Sequence, residues 1–203
     1  MNDLSDLHLD ALVEVFSIGA GRAALSLSEI VNDEVRISVP SIQVINSEDI
    51  NSTTLPLNSG RFGSVNQHFH GPFNAEAVLL FTEEQALKIV SDMMGSQMSI
   101  DELAEFEHEA MCELGNIILN ACLSAMADVF NFTLESSLPA YAVASAEEIL
   151  LRLKKDTNQH VMVLHIDLSI EKRHAAGSLM FLLSSASLTN LVIHIDQFLG
   201  RIS

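Results

Sequence analysis

The chain has few positive charges: ten lysines and arginines stand against 27 aspartates and glutamates, which gives a formal net charge of −17. A protein that binds nucleic acid neutralises phosphates with a basic face, and anionic membrane surfaces attract the same kind of charge. The composition therefore disfavours nucleic acid and membranes as partners. A basic patch on a partner protein is compatible with this charge, which could equally serve only solubility.

Long apolar runs and cysteines are also scarce. No apolar run approaches the roughly 18 residues of a membrane-spanning helix, and the first residues lack the cationic region of a signal peptide. The two cysteines, Cys112 and Cys122, lie ten residues apart on one predicted helix, where they point to different sides and cannot pair. Because free thiols suit a reducing compartment, we expect a cytoplasmic protein.

The composition indicates a globular protein with an aliphatic core, since 48% of the residues are hydrophobic and only 18% are charged. Along the chain, the same order of helix and strand signals occurs twice. The predicted helices cover residues 10–30, 83–94, 101–130 and 187–199, and the predicted strands cover 35–45, 64–71, 75–81, 138–146, 160–170 and 177–184.

The two halves also align residue by residue, at a constant offset of 99 positions. We therefore predict one domain over residues 1–203, built from two repeats of about 8–97 and 100–200. Short connections between strands favour an α/β (α+β) fold with pseudo-two-fold symmetry, a mostly antiparallel sheet and long helices packed on one face. The offset relates Asp10, Glu14, Ser17, Gly21 and Pro40 to Glu109, Glu113, Asn116, Asn120 and Pro139.

A polar stripe follows the long predicted helix of the second half. Glu113, Asn116 and Asn120 fall at positions i, i+3 and i+7 of that helix, and Glu109 extends the line by one turn. Asparagine is a mediocre helix former, so two of them on an otherwise aliphatic helix require a reason. A carboxamide can donate and accept hydrogen bonds at once and so hold a water molecule, which suits attack on a phosphoryl group. The alternative is a solvated polar stripe without a function.

The two predicted long helices, DALVEVFSIGAGRAALSLSEIV and HEAMCELGNIILNACLSAMADVF, each with a later proline, resemble the signature helices of the CheC/CheX/FliY family. The family pattern is an acidic residue or serine, then glutamate, then asparagine, and a proline 23 residues after the asparagine. The second half matches with Glu113, Asn116 and Pro139, and has Glu109 in the leading position.

The resemblance implies a phosphatase that hydrolyses the aspartyl phosphate of a CheY-type response regulator in chemotaxis or two-component signalling. It implies that Glu113 forms a salt bridge with a lysine of the regulator and that Asn116 orients the attacking water. Such phosphatases have no cofactor of their own, because the Mg²⁺ belongs to the regulator. CheC-like members commonly pair with the receptor deamidase CheD. The FliY branch adds a flagellar-switch domain, which we do not expect in a chain that ends at Ser203.

The first half departs from the pattern. It reads Asp10, Glu14, Ser17 and Pro40, with serine where the family has asparagine. A hydroxyl has a shorter reach and cannot reproduce the two-sided hydrogen bonding of an amide, so we expect a degenerate site that at most docks a partner. The main alternative to a one-site enzyme is a non-catalytic module that docks a phosphorylated regulator or a CheD-like protein. The enzyme requires Glu113 and Asn116 to be open on a surface that another protein can reach.

Three other patterns are weaker. Residues 19–24 match G-x-G-x-x-A, but they follow a helical segment rather than a strand, so we expect small residues for close helix packing instead of a nucleotide site. His68 and His70 share one face of a strand without a third ligand, and we predict no metal site. Cys112 and His108 are one helical turn apart, yet a thiol in a buried helix is rarely nucleophilic.

Overall fold

The computed structural model describes residues 4–51, 60–94, 100–154, 159–170 and 173–202. These residues form five helices, namely α1 (Asp6–Val31), α2 (Glu83–Met94), α3 (Ile100–Phe130), α4 (Ala146–Leu153) and α5 (Ser185–Ile202). The same part of the chain contains seven strands, namely β1 (Val35–Asn46), β2 (Arg61–His70), β3 (Ala75–Thr82), β4 (Glu135–Ser136), β5 (Ala140–Ser145), β6 (Gln159–Ile170) and β7 (Arg173–Ser184), and a 3-10 turn covers Ser47–Asp49.

All seven strands form one antiparallel sheet in the order β1-β6-β7-β3-β2-β4, with β5 also paired to β2. Two interruptions occur in it. The pairing of β1 with β6 shifts register between Ser38 and Ser41, and residues 137–139 separate β4 from β5 along β2. These interruptions contain the two prolines of the sequence pattern, Pro40 and Pro139. The predicted fold class is confirmed.

The long helices pack on one face of the sheet and share the main core. Phe16 of α1 stacks on Phe181 of β7 with ring centroids 5.3 Å apart, and Leu114 and Ile118 of α3 are fully buried. A smaller core lies on the opposite face, where Ile149 of α4 and its neighbours pack on β6 and β7.

The sequence prediction missed the short helix α4, as well as β4 and the 3-10 turn, and it extended the strand before α4 to residue 146. The start of α4 does carry a local signal. The Ser145 hydroxyl accepts a hydrogen bond from the Glu148 N–H at 3.2 Å, and the Glu148 carboxylate accepts one from the Ser145 N–H at 2.8 Å. This reciprocal capping box, followed by buried Ile149 and Leu153, marks a helix start.

The two long helices approach each other closely at Gly19. A β-carbon built on Gly19 would lie 2.6 Å from the Cys122 Cα atom and 3.0 Å from the Ala121 carbonyl oxygen, which leaves no room for a side chain. Gly21 is exposed and has no neighbouring atom within 4 Å of such a carbon. The expectation that small residues here serve helix packing is therefore confirmed for Gly19.

Two helical segments, Asp6–Val31 and Phe106–Phe130, are long and apolar enough by composition to cross a membrane, with mean hydropathies of 1.3 and 1.4. Within the structure, 44% and 61% of their most apolar windows are buried. Core packing against the sheet accounts for this apolar character, so the two segments are weak evidence for a membrane span.

The close approach at Gly19 predicts a contrast between two substitutions. Gly19→Ala should lower the free energy of unfolding by about 1–3 kcal/mol, because the methyl group must push α1 and α3 apart. Gly21→Ala, the matched control, should raise it by about 0.5–1 kcal/mol, since alanine favours the helix and meets no neighbour. Urea unfolding followed by circular dichroism measures both values. Equal effects of the two substitutions would contradict the packing described here.

Candidate functional site

The polar stripe lies on the accessible side of α3. Glu109 and Glu113 are exposed, and Asn116 and Asn120 are half-buried. A cavity of about 800 Å³ among the described residues is lined by others, among them Leu9, His160 and Ser185. Glu113 and Asn116 are therefore open to a macromolecular partner and do not line this cavity.

Close packing of α3 on β2 sets the position of the stripe. Gly115 faces Val65 of β2, and a β-carbon on Gly115 would overlap the Val65 side chain. The helix can lie this close to the sheet only because residue 115 has no side chain. Asn116 is thereby placed beside Gln67, which is two residues further along β2 and only 1% exposed.

Neighbouring N–H donors hold the side-chain amide of Asn116 through its oxygen atom. The Asn120 amide nitrogen donates to the Asn116 Oδ1 atom at 2.7 Å and to the Asn116 carbonyl oxygen at 2.8 Å. The Gln67 amide nitrogen lies 3.5 Å from the same Oδ1 atom. Within the described part of the chain, the Asn116 amide nitrogen makes no hydrogen bond. The sequence suggested an amide that donates and accepts at once, whereas here the oxygen is already engaged and the nitrogen is free to donate.

The segment that contains Pro139 lies against this site. The Gln67 amide nitrogen donates to the Ser137 carbonyl oxygen at 2.8 Å, and the Ser137 N–H donates to the His68 carbonyl oxygen at 2.8 Å. On the other side, the Cys112 thiol lies 3.9 Å from the Pro139 carbonyl oxygen. Leu138, between these anchored residues, is 90% exposed. The structure thus places Pro139 next to the turn of α3 that carries Glu113.

The stripe of the first half is also exposed. Asp10, Glu14 and Ser17 lie on the open side of α1, and among the described residues the Glu14 and Ser17 side chains make no hydrogen bond or ion pair. Pro40 lies within β1, and its side chain is outside the described part of the structure. Both stripes are therefore accessible, the first one more fully than the second, and they differ in the group at the amide position.

Burial controls the titration of the groups beside the site. Burial raises the pKa of the Cys112 thiol, and it raises the pKa of the fully buried Cys122 thiol from 9.0 to about 12. Burial and a hydrogen bond to the Glu107 carboxylate raise the pKa of the Tyr141 hydroxyl. Both thiols are protonated at neutral pH, which agrees with the argument against a cysteine nucleophile.

The histidine pair does not gain a ligand set in the fold. His68 and His70 are exposed, and the His70 Nδ1 atom lies 3.3 Å from the Asn74 amide oxygen. Among the described residues, no group of three or more histidine, cysteine, aspartate or glutamate side chains could hold a metal ion.

The raised thiol pKa predicts a loss of stability at alkaline pH. Between pH 9 and the folded value of about 12, the unfolded Cys122 thiol has lost its proton while the folded one keeps it, so stability is complete below pH 9 and falls above it. We expect the free energy of unfolding to fall by about 1 kcal/mol per pH unit between pH 9 and 10. Urea unfolding across this range measures it, and Cys122→Ala should flatten the slope while lowering stability throughout. An unchanged slope in Cys122→Ala would contradict the assignment.

An open carboxylate–amide pair on a core helix over an antiparallel sheet is the arrangement expected of a chemotaxis phosphatase. The sequence model of the family described as chemotaxis phosphatase CheX matches residues 64–165, which include Gln67, Glu113, Asn116 and Pro139. The chain belongs to this CheC/CheX/FliY family.

Individual relatives agree with the family. The CheY-P phosphatase CheC of Bacillus subtilis is 24% identical over 180 residues, which cover 83% of this chain and 82% of that protein. Thermotoga maritima FliY has a similar crystal structure, with a TM-score of 0.78, 18% identity, and coverage of 96% of this chain and 98% of that one. A chain of the CheX–CheY–BeF3–Mg²⁺ complex of Borrelia burgdorferi has a TM-score of 0.54 at 14% identity, over 85% of this chain and 98% of that one. At these identities the two structures show a common fold.

Sequence reasoning missed Gln67. Its strand is covered on both faces, since residues 62–67 are all buried, and a buried glutamine in such a strand needs hydrogen-bond partners. The alternation of the sequence alone did not reveal that both faces are covered. Gln67 joins β2, α3 and the Pro139 segment through two hydrogen bonds, which makes it the structural link of the site.

Proposed function

We propose that this protein hydrolyses the aspartyl phosphate of a phosphorylated CheY-type response regulator, with one working site formed by Glu113 and Asn116. The observation that carries the proposal is the open position of these two side chains, one turn apart on α3, with the Asn116 amide nitrogen free to donate. Membership of the family and the name of the Bacillus subtilis relative support the same activity.

In the proposed reaction, Asn116 enters the regulator's active site and donates a hydrogen bond to the attacking water. The second lone pair of that water attacks phosphorus in line with the aspartyl oxygen. The bond from phosphorus to the aspartyl oxygen breaks, its electron pair returns to the carboxylate, and the water proton leaves with the phosphate. The products are a free aspartate on the regulator and inorganic phosphate. Positioning of the attacking water accelerates the hydrolysis, and the Mg²⁺ belongs to the regulator.

Docking uses the groups around Asn116. The Glu113 carboxylate makes no ion pair among the described residues, so it can pair with a lysine of the regulator without breaking a contact. Leu138 projects from an anchored segment beside the same helix, and a rigid exposed leucine is suited to become the buried centre of an interface. The net charge of −17 favours a basic region of the partner around these contacts.

A non-catalytic docking module is the second candidate, and the first half favours it for α1. Asp10 and Glu14 keep the carboxylates of the pattern, while Ser17 replaces the amide. That surface could bind a regulator or a CheD-like protein without turnover. Both functions place the protein in the cytoplasm with its regulator.

The proposal predicts how variants change the decay of a phosphorylated CheY-type regulator. Wild type should accelerate the decay, and Asn116→Ala should reduce kcat by about 100- to 1,000-fold, because the hydrogen bond that positions the attacking water is lost. Ser17→Ala, the matched change in the other half, should leave kcat within a factor of two. Loss of radiolabelled phosphate from the regulator measures the rates.

Binding controls separate the two candidate functions. Asn116→Ala should still bind the phosphorylated regulator, because Glu113 and Leu138 are intact. Wild-type binding without faster decay would establish the docking module instead of the enzyme. A loss of activity in Ser17→Ala equal to that in Asn116→Ala would contradict a single working site.

A further inference from the structure

Two buried or half-buried amides surround Asn116 and take no part in the proposed chemistry. Asn120 donates from one nitrogen to both oxygens of Asn116, at 2.7 Å to Oδ1 and 2.8 Å to the carbonyl. The Gln67 nitrogen stands 3.5 Å from Oδ1 and is itself fixed by the Ser137 carbonyl oxygen at 2.8 Å. All the donors therefore face the oxygen of the Asn116 amide.

This arrangement allows one orientation of the Asn116 amide. A carboxamide oxygen has two lone pairs, and here each has an N–H donor within reach. If the amide turned by 180°, its NH2 group would face the NH2 groups of Asn120 and Gln67, and both contacts to the Asn116 Oδ1 atom would be lost, although Asn120 and Gln67 would keep their backbone acceptors. These contacts favour the orientation in which the oxygen faces Asn120 and Gln67, which leaves the nitrogen free to donate to a partner.

The site on α1 lacks every part of this arrangement. At the offset of 99 positions, Ser17 corresponds to Asn116, Gly21 corresponds to Asn120, and Ile166 corresponds to Gln67. Ile166 is 2% exposed, so an apolar side chain takes the core position at the α1 site that Gln67 takes at the α3 site. The site without the amide thus also lacks both donors that would orient it, which indicates that the three residues serve one purpose.

We infer that Asn120, supported by Gln67, is the positioning residue of the phosphatase site, which holds the Asn116 amide with its nitrogen toward the regulator. The inference rests on the proposed function. A purely structural role explains Asn120 poorly, because alanine is a better helix former at a half-buried position. Stability and activity should therefore respond differently to its replacement.

The test compares two substitutions of Asn120 with a control on the same helix. Asn120→Ala removes the two hydrogen bonds that the Asn120 nitrogen donates to Asn116. Asn120→Asp keeps the shape of the side chain but can only accept hydrogen bonds, so it should attract the Asn116 nitrogen and turn that amide around. We expect kcat to fall roughly tenfold for Asn120→Ala, the equivalent of one hydrogen bond, and further for Asn120→Asp. KM should stay within a factor of two. Ser124→Ala, an exposed change one turn further along α3, should leave both constants unchanged.

A second measurement reads the orientation of Asn116 without turnover. In wild type, NMR should show that the Asn120 side-chain amide protons are protected from solvent exchange while those of Asn116 exchange rapidly. In Asn120→Asp, the Asn116 protons should become protected. Unchanged kcat in both Asn120 variants, or Asn116 protons equally protected in wild type and Asn120→Asp, would overturn the inference. If wild type does not accelerate decay, the proposed function fails, and the exchange rates still decide whether Asn120 orients Asn116.

Discussion

The site depends on the absence of a side chain at Gly115. Because α3 can lie directly on Val65 of β2 at this residue, the next residue, Asn116, comes within reach of Gln67 in the same strand. Gln67 in turn fixes the Pro139 segment through Ser137. One close contact between a helix and a sheet thus brings together three segments that are far apart in the sequence.

The same principle holds the two long helices together. Gly19 of α1 meets the backbone of Cys122 in α3, so the helices share a core in which the buried thiol stays protonated. Both helices present a polar stripe to solvent above that core. We propose that the chain derives from one repeated unit in which only the helix of the second copy, α3, carries the amide, oriented by Asn120 of the same helix and by Gln67 of the first copy. The first copy kept the carboxylates and the accessible surface.

Much of this arrangement could be predicted from the sequence, since periodicity locates α1, α3 and the long strands, and the offset of 99 positions pairs the two stripes. Helix α4 was missed because its eight residues follow a strand directly, although the Ser145–Glu148 capping box marks its start. The role of Gln67 could not be predicted, because it depends on which strand lies under α3. The orientation of Asn116 depends on Asn120, one turn further along the same helix, and on Gln67, which is 49 positions away in the chain. The spacing of the two asparagines is visible in the sequence, but the contact with Gln67 and the direction of the Asn116 oxygen are not.

The most direct test of the account is the structure of the protein bound to a CheY-type regulator that carries a phosphoryl analogue. The account predicts that α3 docks on the regulator, with the Asn116 amide nitrogen within hydrogen-bond distance of the water or oxygen next to the analogue. Glu113 should contact a lysine of the regulator, and the Asn116 oxygen should still accept from Asn120. A complex in which α1 occupies the regulator's active site, or in which Asn116 remains far from the analogue, would contradict it.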